Sequence, residues 1–202
     1  MLEGPDGAGI STQTALLRSA LSARGIKAVA TKEPTSGPIG SVIRQALSAR
    51  LVYPPAEPIG DDVLALLYAA DRLDHIRADI LPRLNEGIHV ICDRYRLSSY
   101  AYQGATLGQQ WVRTINSRAI APDLTFLIHV PPEVSLQRIA TRGDYVELYE
   151  TEERLRLTYA SYMALVAEMQ REGERIVVVD GTPSPEQVAA TILEETLKLI
   201  QP

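Results

Sequence analysis

A glycine-rich segment, Gly4 to Thr12, lies between a short apolar stretch and a segment with helical spacing. Gly4, Gly7 and Gly9 let backbone N–H groups turn inward, and the positive end of the following helix favours a bound anion. Ser11 stands where a hydroxyl would help to hold Mg²⁺. The order of strand, loop and helix therefore predicts a cradle for phosphate groups.

The loop departs from the full pattern GxxxxGK[ST] at one position. Ile10 occupies the place of the lysine, whose charge would contact the phosphates. On its own, the segment is equally compatible with a glycine-rich turn that opens a helix. The residues predicted to line the cradle are Gly4, Asp6, Gly7, Ala8, Gly9, Ile10, Ser11 and Thr12.

Short runs rich in β-branched residues recur after this loop. They are KAVAT (27–31), HVICD (89–93), LTFLIHV (124–130) and RIVVVD (175–180). Such runs are typical of strands buried on both faces of a parallel sheet. The stretch before the loop, Met1 to Glu3, is shorter than the five or six residues usual for a central strand, which is compatible with a misassigned start or a shortened chain.

Segments with an apolar residue at every third or fourth position separate these strands. They are TQTALLRSALSARG, GSVIRQALSAR, DDVLALLYAADRLDHIRADILPRLNEG and the stretch from Glu150 to Gly173. This spacing predicts helices, and the alternation predicts a doubly wound α/β sheet that binds ligands at the carboxyl ends of its strands. Leu51 to Ile59, with three prolines, is predicted to be a surface loop. No linker divides residues 1–202, which favours one domain.

The composition excludes several classes of protein. Hydrophobic residues make up 46% and charged residues 22% of the chain, which is typical of a soluble globular protein. A net charge of −5 argues against a protein that coats nucleic acid, and no stretch is apolar enough for a membrane span. Cys92 is the one cysteine, so no intrachain disulfide is expected, and we predict a buried thiol in a cytoplasmic protein.

Two further segments narrow the function. Cys92-Asp93-Arg94-Tyr95 is followed by Ser98-Ser99-Tyr100-Ala101-Tyr102-Gln103-Gly104, and Thr31-Lys32-Glu33-Pro34 comes after the second strand. Together with EGPDGAG, these segments resemble the thymidylate kinases, in order along nearly the whole chain. The resemblance implies the P-loop NTPase type of fold: three α/β/α layers, a five-stranded parallel sheet of order 2-3-1-4-5 and a helical lid. It also implies transfer of the γ-phosphate of ATP to dTMP with Mg²⁺, in a homodimer.

The resemblance assigns roles around the phosphates. Asp93 would hold the magnesium hydration shell or orient the acceptor phosphate, although capping of the next turn is an alternative. Arg94 would bridge the two nucleotides' phosphates, a task suited to a forked guanidinium, and a surface ion pair is the alternative. Asp6 would contact the 3′-hydroxyl of the acceptor sugar, with an Asx turn as the competing explanation. The metal would lie at Ser11 and Asp93.

The acceptor nucleotide is expected to bind within about residues 32–104. Tyr68 and Arg72, four residues apart on one helical face, match the family's aromatic residue and arginine that contact thymine, although an aromatic at this spacing is also common in a core. Arg44 resembles the arginine that reaches the monophosphate, or lies on a solvated helix face. Further residues expected to bind dTMP are Lys32, Glu33, Pro34, Ser99, Tyr102 and Gln103.

A lid is expected at about residues 138–151. Family members with glycine at the position of Gly7 generally supply a catalytic arginine from this lid, which makes Arg142 the candidate and leaves Arg138 as a neighbour. A second family arginine is replaced here by Leu148 and Tyr149. The missing charges keep two alternatives open: a kinase for another nucleotide or nucleoside, and a nucleotide-binding protein with weak or no catalysis.

The three histidines, His75, His89 and His129, have no zinc-like spacing and are expected to be structural.

Overall fold

The computed structural model describes residues 1–142 and 151–200. Within these residues, the strands are β1 (Leu2–Glu3), β2 (Ala28–Lys32), β3 (Val52–Tyr53), β4 (Glu57–Pro58), β5 (His89–Asp93), β6 (Thr125–His129) and β7 (Ile176–Asp180). The α-helices are α1 (Ile10–Ser22), α2 (Pro38–Leu47), α3 (Asp61–His75), α4 (Leu81–Asn85), α5 (Arg96–Leu107), α6 (Gln109–Ile115), α7 (Pro132–Arg142), α8 (Glu152–Arg171) and α9 (Pro185–Ile200).

Five parallel strands form the main sheet in the order β2-β5-β1-β6-β7. Counted along the chain without the hairpin β3–β4, this order is 2-3-1-4-5, so the predicted fold class is confirmed. The four β-branched runs are strands within one residue of the predicted bounds. The short first stretch is the central strand, because Leu2 pairs with Asp93 on one side and Phe126 on the other.

Two predictions need correction. The segment predicted as a loop contains a small antiparallel hairpin, in which Val52 pairs with Pro58 and Tyr53 with Glu57. The predicted helix over residues 61–87 is not regular, because a π-helical turn, Ile76–Ile80, separates α3 from α4. Pro82 lies in the first turn of α4 and lacks the N–H that an uninterrupted α-helix would use.

The core lies on both sides of the sheet. One apolar cluster joins α2, α3, α5, α6 and α8, and another joins α1, α9 and the inner strands. Cys92 is fully buried at the carboxyl end of β5, as predicted. Among the described residues, no helix has the length and apolar character needed to cross a bilayer.

Ile128 tests the second cluster, since its side chain on β6 is fully buried. We expect Ile128→Ala to lower the free energy of unfolding by about 2–5 kcal/mol, because it removes transfer energy and leaves a cavity. Val178→Ala is the matched control, because Val178 on β7 is 43% exposed, and a change of less than about 0.5 kcal/mol is expected. Urea denaturation measures both, and equal losses would contradict this view of the core.

Candidate functional site

The glycine loop lies at the carboxyl end of β1 and leads directly into α1. Gly9 is the N-cap of α1 and has a φ of 90°, a conformation that residues with a Cβ rarely adopt. Gly7 has a φ of 80°, and a Cβ there would lie 2.7 Å from the carbonyl oxygen of Ser135. The loop therefore packs against the start of α7, with the first N–H groups of α1 at its end.

Arg94 lies beside the loop and is held by it. Nη1 of Arg94 donates to the carbonyl oxygen of Gly4 at 2.8 Å, and Nη2 donates to Oδ1 of Asp6 at 2.6 Å. The Tyr102 hydroxyl donates to the other Asp6 oxygen at 2.9 Å, and the Arg94 guanidinium lies over the Tyr102 ring. Burial disfavours the charge, but the interactions with Tyr102 and Asp6 outweigh it and raise the pKa of Arg94. The guanidinium is thus permanently charged and fixed beside the loop.

A hydroxyl and a carboxylate meet between the loop and β5. Oγ of Ser11, in the first turn of α1, lies 2.5 Å from Oδ2 of Asp93. Asp93 is the last residue of β5 and pairs in register with Lys32, the last residue of β2, whose side chain is exposed. Oxygen ligands of this kind suit Mg²⁺, which is generally bound through one or two protein oxygens, the substrate phosphates and water. The two residues therefore fit the predicted metal.

A cleft of about 270 Å³ opens beside Arg94 at the carboxyl ends of β2 and β5. All the residues predicted to bind dTMP line it: Asp6, Lys32, Glu33, Pro34, Arg44, Tyr68, Arg72, Arg94, Ser99, Tyr102 and Gln103. Ser11 and Asp93 also line it, as do Leu47, Tyr95 and Ser98, which were not predicted. We call it the acceptor cleft.

Arg72 is 1% exposed at the floor of the acceptor cleft. Its Nε donates to Oε2 of Glu33 at 2.8 Å, and Nη2 lies 2.8 Å from the same oxygen in an ion pair. Nη1 donates to Oγ of Ser99 at 3.2 Å and to Oδ1 of Asn116. Nδ1 of His75 lies 3.0 Å from the other oxygen of Glu33. Desolvation opposes the charge, but the interactions with Glu33, Tyr95 and Glu3 together raise the pKa of Arg72. The guanidinium is therefore charged and held in one orientation.

Arg44 on α2 is already bonded within the protein. It donates to the carbonyl oxygens of Pro34 and Thr35 and, through Nη2, to Oγ of Ser41 at 2.9 Å. Both oxygens of Asp71 accept hydrogen bonds from Thr35. These contacts fix the segment after β2 at the edge of the acceptor cleft.

A second cleft of about 360 Å³ lies on the other side of the loop. Its walls include Gly7, Ala8, Gly9, Thr12, Gln13, Arg138, Gly181, Pro183, Pro185 and Val188. Arg138 on α7 donates to the carbonyl oxygen of Gly181 at 2.9 Å, and Gln13 donates to that of Pro185 at 2.9 Å. The loop thus forms part of the wall of two clefts.

Two predicted residues of the phosphate site stand apart. Ile10 is 5% exposed and packs in the apolar cluster with Ala8, Ile128 and Val130. The side chain of Arg142 and residues 143–150, which include Leu148 and Tyr149, lie outside the described residues.

Cys92, Glu33 and His75 form a buried cluster of metal-ligand type, with candidate ligand atoms within 4.8 Å of one another. Both Glu33 oxygens are already bonded, and the Cys92 thiol donates to the carbonyl oxygen of Arg94 at 3.0 Å. Burial raises the pKa of Cys92 well above its ordinary value, which disfavours the thiolate that a metal needs. We therefore assign this cluster to structure, as predicted for His75.

Comparison with known proteins agrees with this geometry. The sequence profile of the family described as thymidylate kinase matches residues 2–192. The chain belongs to the thymidylate kinase family. It is 40% identical to the probable thymidylate kinase of Pyrobaculum aerophilum over 99% of this chain and 96% of that protein. It is also 38% identical to the thymidylate kinase of Thermomicrobium roseum, over 94% of this chain and 90% of that protein.

Three polar residues of the site, Asn116, Ser98 and Glu3, were not among the predicted site residues. Asn116 follows α6, and nothing in the local sequence relates it to Arg72. Ser98 lies inside the segment SSYAYQG, and Glu3 directly precedes the loop. The position of both residues in the sequence therefore related them to the site. Glu3 is 0% exposed, and burial raises its pKa to about 7, against the lowering effects of Ser98 and Arg94.

The two loop glycines provide a matched test of the loop's packing. Gly7→Ala and Gly9→Ala both place a Cβ at positive φ, which costs about 1–2 kcal/mol. Gly7→Ala also brings the Cβ against the carbonyl oxygen of Ser135, whereas no atom lies within 4 Å of a Cβ at Gly9. Thermal unfolding should therefore show a clearly lower midpoint for Gly7→Ala than for Gly9→Ala. The reverse order would contradict the packing of the loop on α7.

Proposed function

We propose that this chain transfers the γ-phosphoryl group of ATP to dTMP and releases dTDP and ADP. The observation that supports it most is the fixed guanidinium of Arg94, beside a loop that forms walls of two clefts. Phosphoryl transfer requires two nucleotides placed phosphate to phosphate and positive charge where they meet. The acceptor cleft would hold dTMP and the second cleft ATP.

The residues at the junction have complementary tasks. Arg94 would contact the phosphates of both nucleotides, and its contacts with Gly4 and Asp6 fix its direction before they bind. Ser11 and Asp93 would hold Mg²⁺, which when bound supplies positive charge at the β- and γ-phosphate oxygens. Asp6 and Tyr102 close the side of the acceptor cleft where the sugar would lie.

Arg72 provides a physical reason for a thymine base. Among its contacts with described residues, Nε donates to Glu33, Nη1 donates to Ser99 and Asn116, and Nη2 is in an ion pair with Glu33. A guanidinium has five N–H groups and Nη2 carries two of them, so Nη2 would be the atom that donates to a ligand. Thymine presents the O4 acceptor, whereas cytosine presents an amino donor at the same position. The cleft is thus matched to thymine or uracil.

Tyr68 and Gln103 are proposed to contact the base from the sides of the cleft, with Ser99 below. Lys32, Glu33, Pro34 and Arg44 would form the end nearest the phosphate. Arg142 as a lid arginine, the homodimer and the cytoplasmic location stay predictions. The alternative of a binding protein without catalysis is not favoured, because the similar proteins are named as kinases.

A panel of acceptors tests the proposal. With ATP and Mg²⁺, we expect turnover of dTMP and dUMP, and at least about a hundredfold lower kcat/KM for dCMP, because its amino group faces a donor of Arg72. dGMP and thymidine should be poor acceptors. Formation of ADP and the diphosphate product is the measurement, with a magnesium chelator as the control.

Preference for dCMP or for thymidine would contradict the proposed acceptor, and nucleotide binding without ADP formation would contradict catalysis.

Ile10→Lys tests the missing charge. A lysine here would bring an ammonium group toward the phosphates, and we expect kcat to rise about tenfold. Ile10→Met is the matched control, because it has a long unbranched side chain without charge. Both changes disturb the apolar cluster, so their unfolding midpoints should be measured beside kcat. Equal kcat values for the two variants would mean that the charge is already supplied by other groups.

A further inference from the structure

Glu3 is a buried carboxylate that none of the roles above uses. It is the last residue of β1, next to Gly4, and its side chain is inaccessible to solvent. Oε1 accepts the backbone N–H of Tyr95 at 2.8 Å. Oε2 accepts the hydroxyl of Ser98 at 2.5 Å and lies 3.4 Å from the hydroxyl of Tyr162. The carboxylate therefore connects the base of the loop with the start of α5 and with α8.

These contacts surround Arg94 in the chain. Arg94 is one of two residues other than glycine in the described chain with positive φ, at 67°. Such a conformation is uncommon and persists when neighbouring contacts hold it. The next N–H, that of Tyr95, is the one bonded to Glu3, and no side chain of α5 itself caps this helix start. Glu3 thus fixes the backbone turn from which the Arg94 side chain leaves.

Glu3 also reaches the guanidinium through one intermediate. Nη1 of Arg94 lies 3.3 Å from Oγ of Ser98, which is the hydroxyl that donates to Glu3. The Tyr162 hydroxyl lies 2.8 Å from the same oxygen. An unbroken series of hydrogen bonds therefore joins Arg94, Ser98 and Glu3.

Burial of a carboxylate at this position costs free energy. Burial disfavours its charge, and the favourable interactions with Ser98, Arg94 and Arg72 only partly offset that effect. An apolar residue would avoid the cost, but it would leave the N–H of Tyr95 and the hydroxyl of Ser98 without this acceptor. We therefore attribute the carboxylate at this position to the hydrogen bonds that it accepts and not to a gain in folding stability.

We propose that Glu3 is a positioning residue for phosphoryl transfer, holding Arg94 in its direction through the Tyr95 N–H and Ser98. This inference rests on the proposed function, since it concerns the group expected to contact both phosphates. Glu3 itself touches neither nucleotide in this arrangement. Its contribution should be seen in kcat and should require the guanidinium of Arg94.

A double-mutant cycle tests this coupling. Glu3→Gln keeps the shape but has one acceptor oxygen instead of two, so one of the two contacts is lost or reversed. We expect kcat to fall about tenfold, with the KM for ATP changing less than about twofold. In an Arg94→Ala background, Glu3→Gln should lower kcat less than about twofold further, because residues that act as a unit are not additive. If Arg94→Ala is below detection, Arg94→Lys is the background.

Two further variants separate positioning from folding. Ser98→Ala removes the hydrogen bonds that join Glu3 to Arg94 through Ser98 and keeps the contact of Glu3 with the Tyr95 N–H. It should therefore lower kcat less than Glu3→Gln does. Its effect on kcat should also be non-additive with that of the Arg94 variant. It is the decisive variant if Glu3→Gln does not fold. Thr196→Val is the control for loss of a buried hydrogen bond, since Thr196 on α9 donates to Ile192 far along the chain from these residues. It should lower the unfolding midpoint and leave kcat unchanged.

The proposal is overturned if Glu3→Gln lowers kcat by the same factor whether residue 94 is arginine or its replacement. It is also overturned if Glu3→Gln lowers the unfolding midpoint and leaves kcat unchanged. The wild-type protein is assayed first with the acceptor panel. Absence of any phosphoryl transfer there refutes the proposed function itself. If the wild type prefers another acceptor, the cycle is run with that acceptor, so the two failures are distinguished.

Discussion

The pairing of β1 between β5 and β6 determines where the chemistry can occur. Leu2 is in register with Asp93 on one side and with Phe126 on the other, so Glu3 and the loop begin beside Asp93 and Arg94. In a parallel sheet all these strands end at the same edge. Two residues of β-structure are therefore enough to bring a glycine loop, a carboxylate and an arginine together. The other contacts of the site are arranged around this edge of the sheet.

Two of the positive charges at this edge are held by carboxylates. The chain has a net charge of −5, and the lysine position of the loop holds an isoleucine in the apolar core. Arg72 is buried against Glu33, and the partly buried Arg94 is paired with Asp6. Each pair fixes a guanidinium that would otherwise sample many rotamers. The same carboxylates reduce the net positive charge that a phosphate would encounter, and the Mg²⁺ proposed at Ser11 and Asp93 would add to it.

Much of this arrangement could be predicted from the sequence, for identifiable reasons. The β-branched runs are typical of buried parallel strands. Residues directly after such strands lie at the same edge of the sheet. That is why Lys32, Asp93 and Arg94 were expected together, and they line one cleft. The contacts of Asn116 and Tyr162 could not be predicted, because they depend on how α6 and α8 pack on the site. The hairpin at residues 52–58 was missed because local proline content indicated only irregular backbone. The π-helical turn was missed because the apolar spacing of residues 61–87 is typical of one continuous helix.

The contacts that hold Arg72 within the protein have a consequence for how a nucleotide would bind. Nε and Nη1 of this side chain donate hydrogen bonds and Nη2 is in an ion pair, all within the described part of the protein, before any ligand arrives. The conformational entropy of ordering a long, flexible side chain is thus lost during folding and not during association. In the proposed binding mode, Nη2 would present a fixed hydrogen-bond direction at the floor of the cleft. Discrimination between bases would then come from a rigid wall and should not depend on closure of the protein around the base.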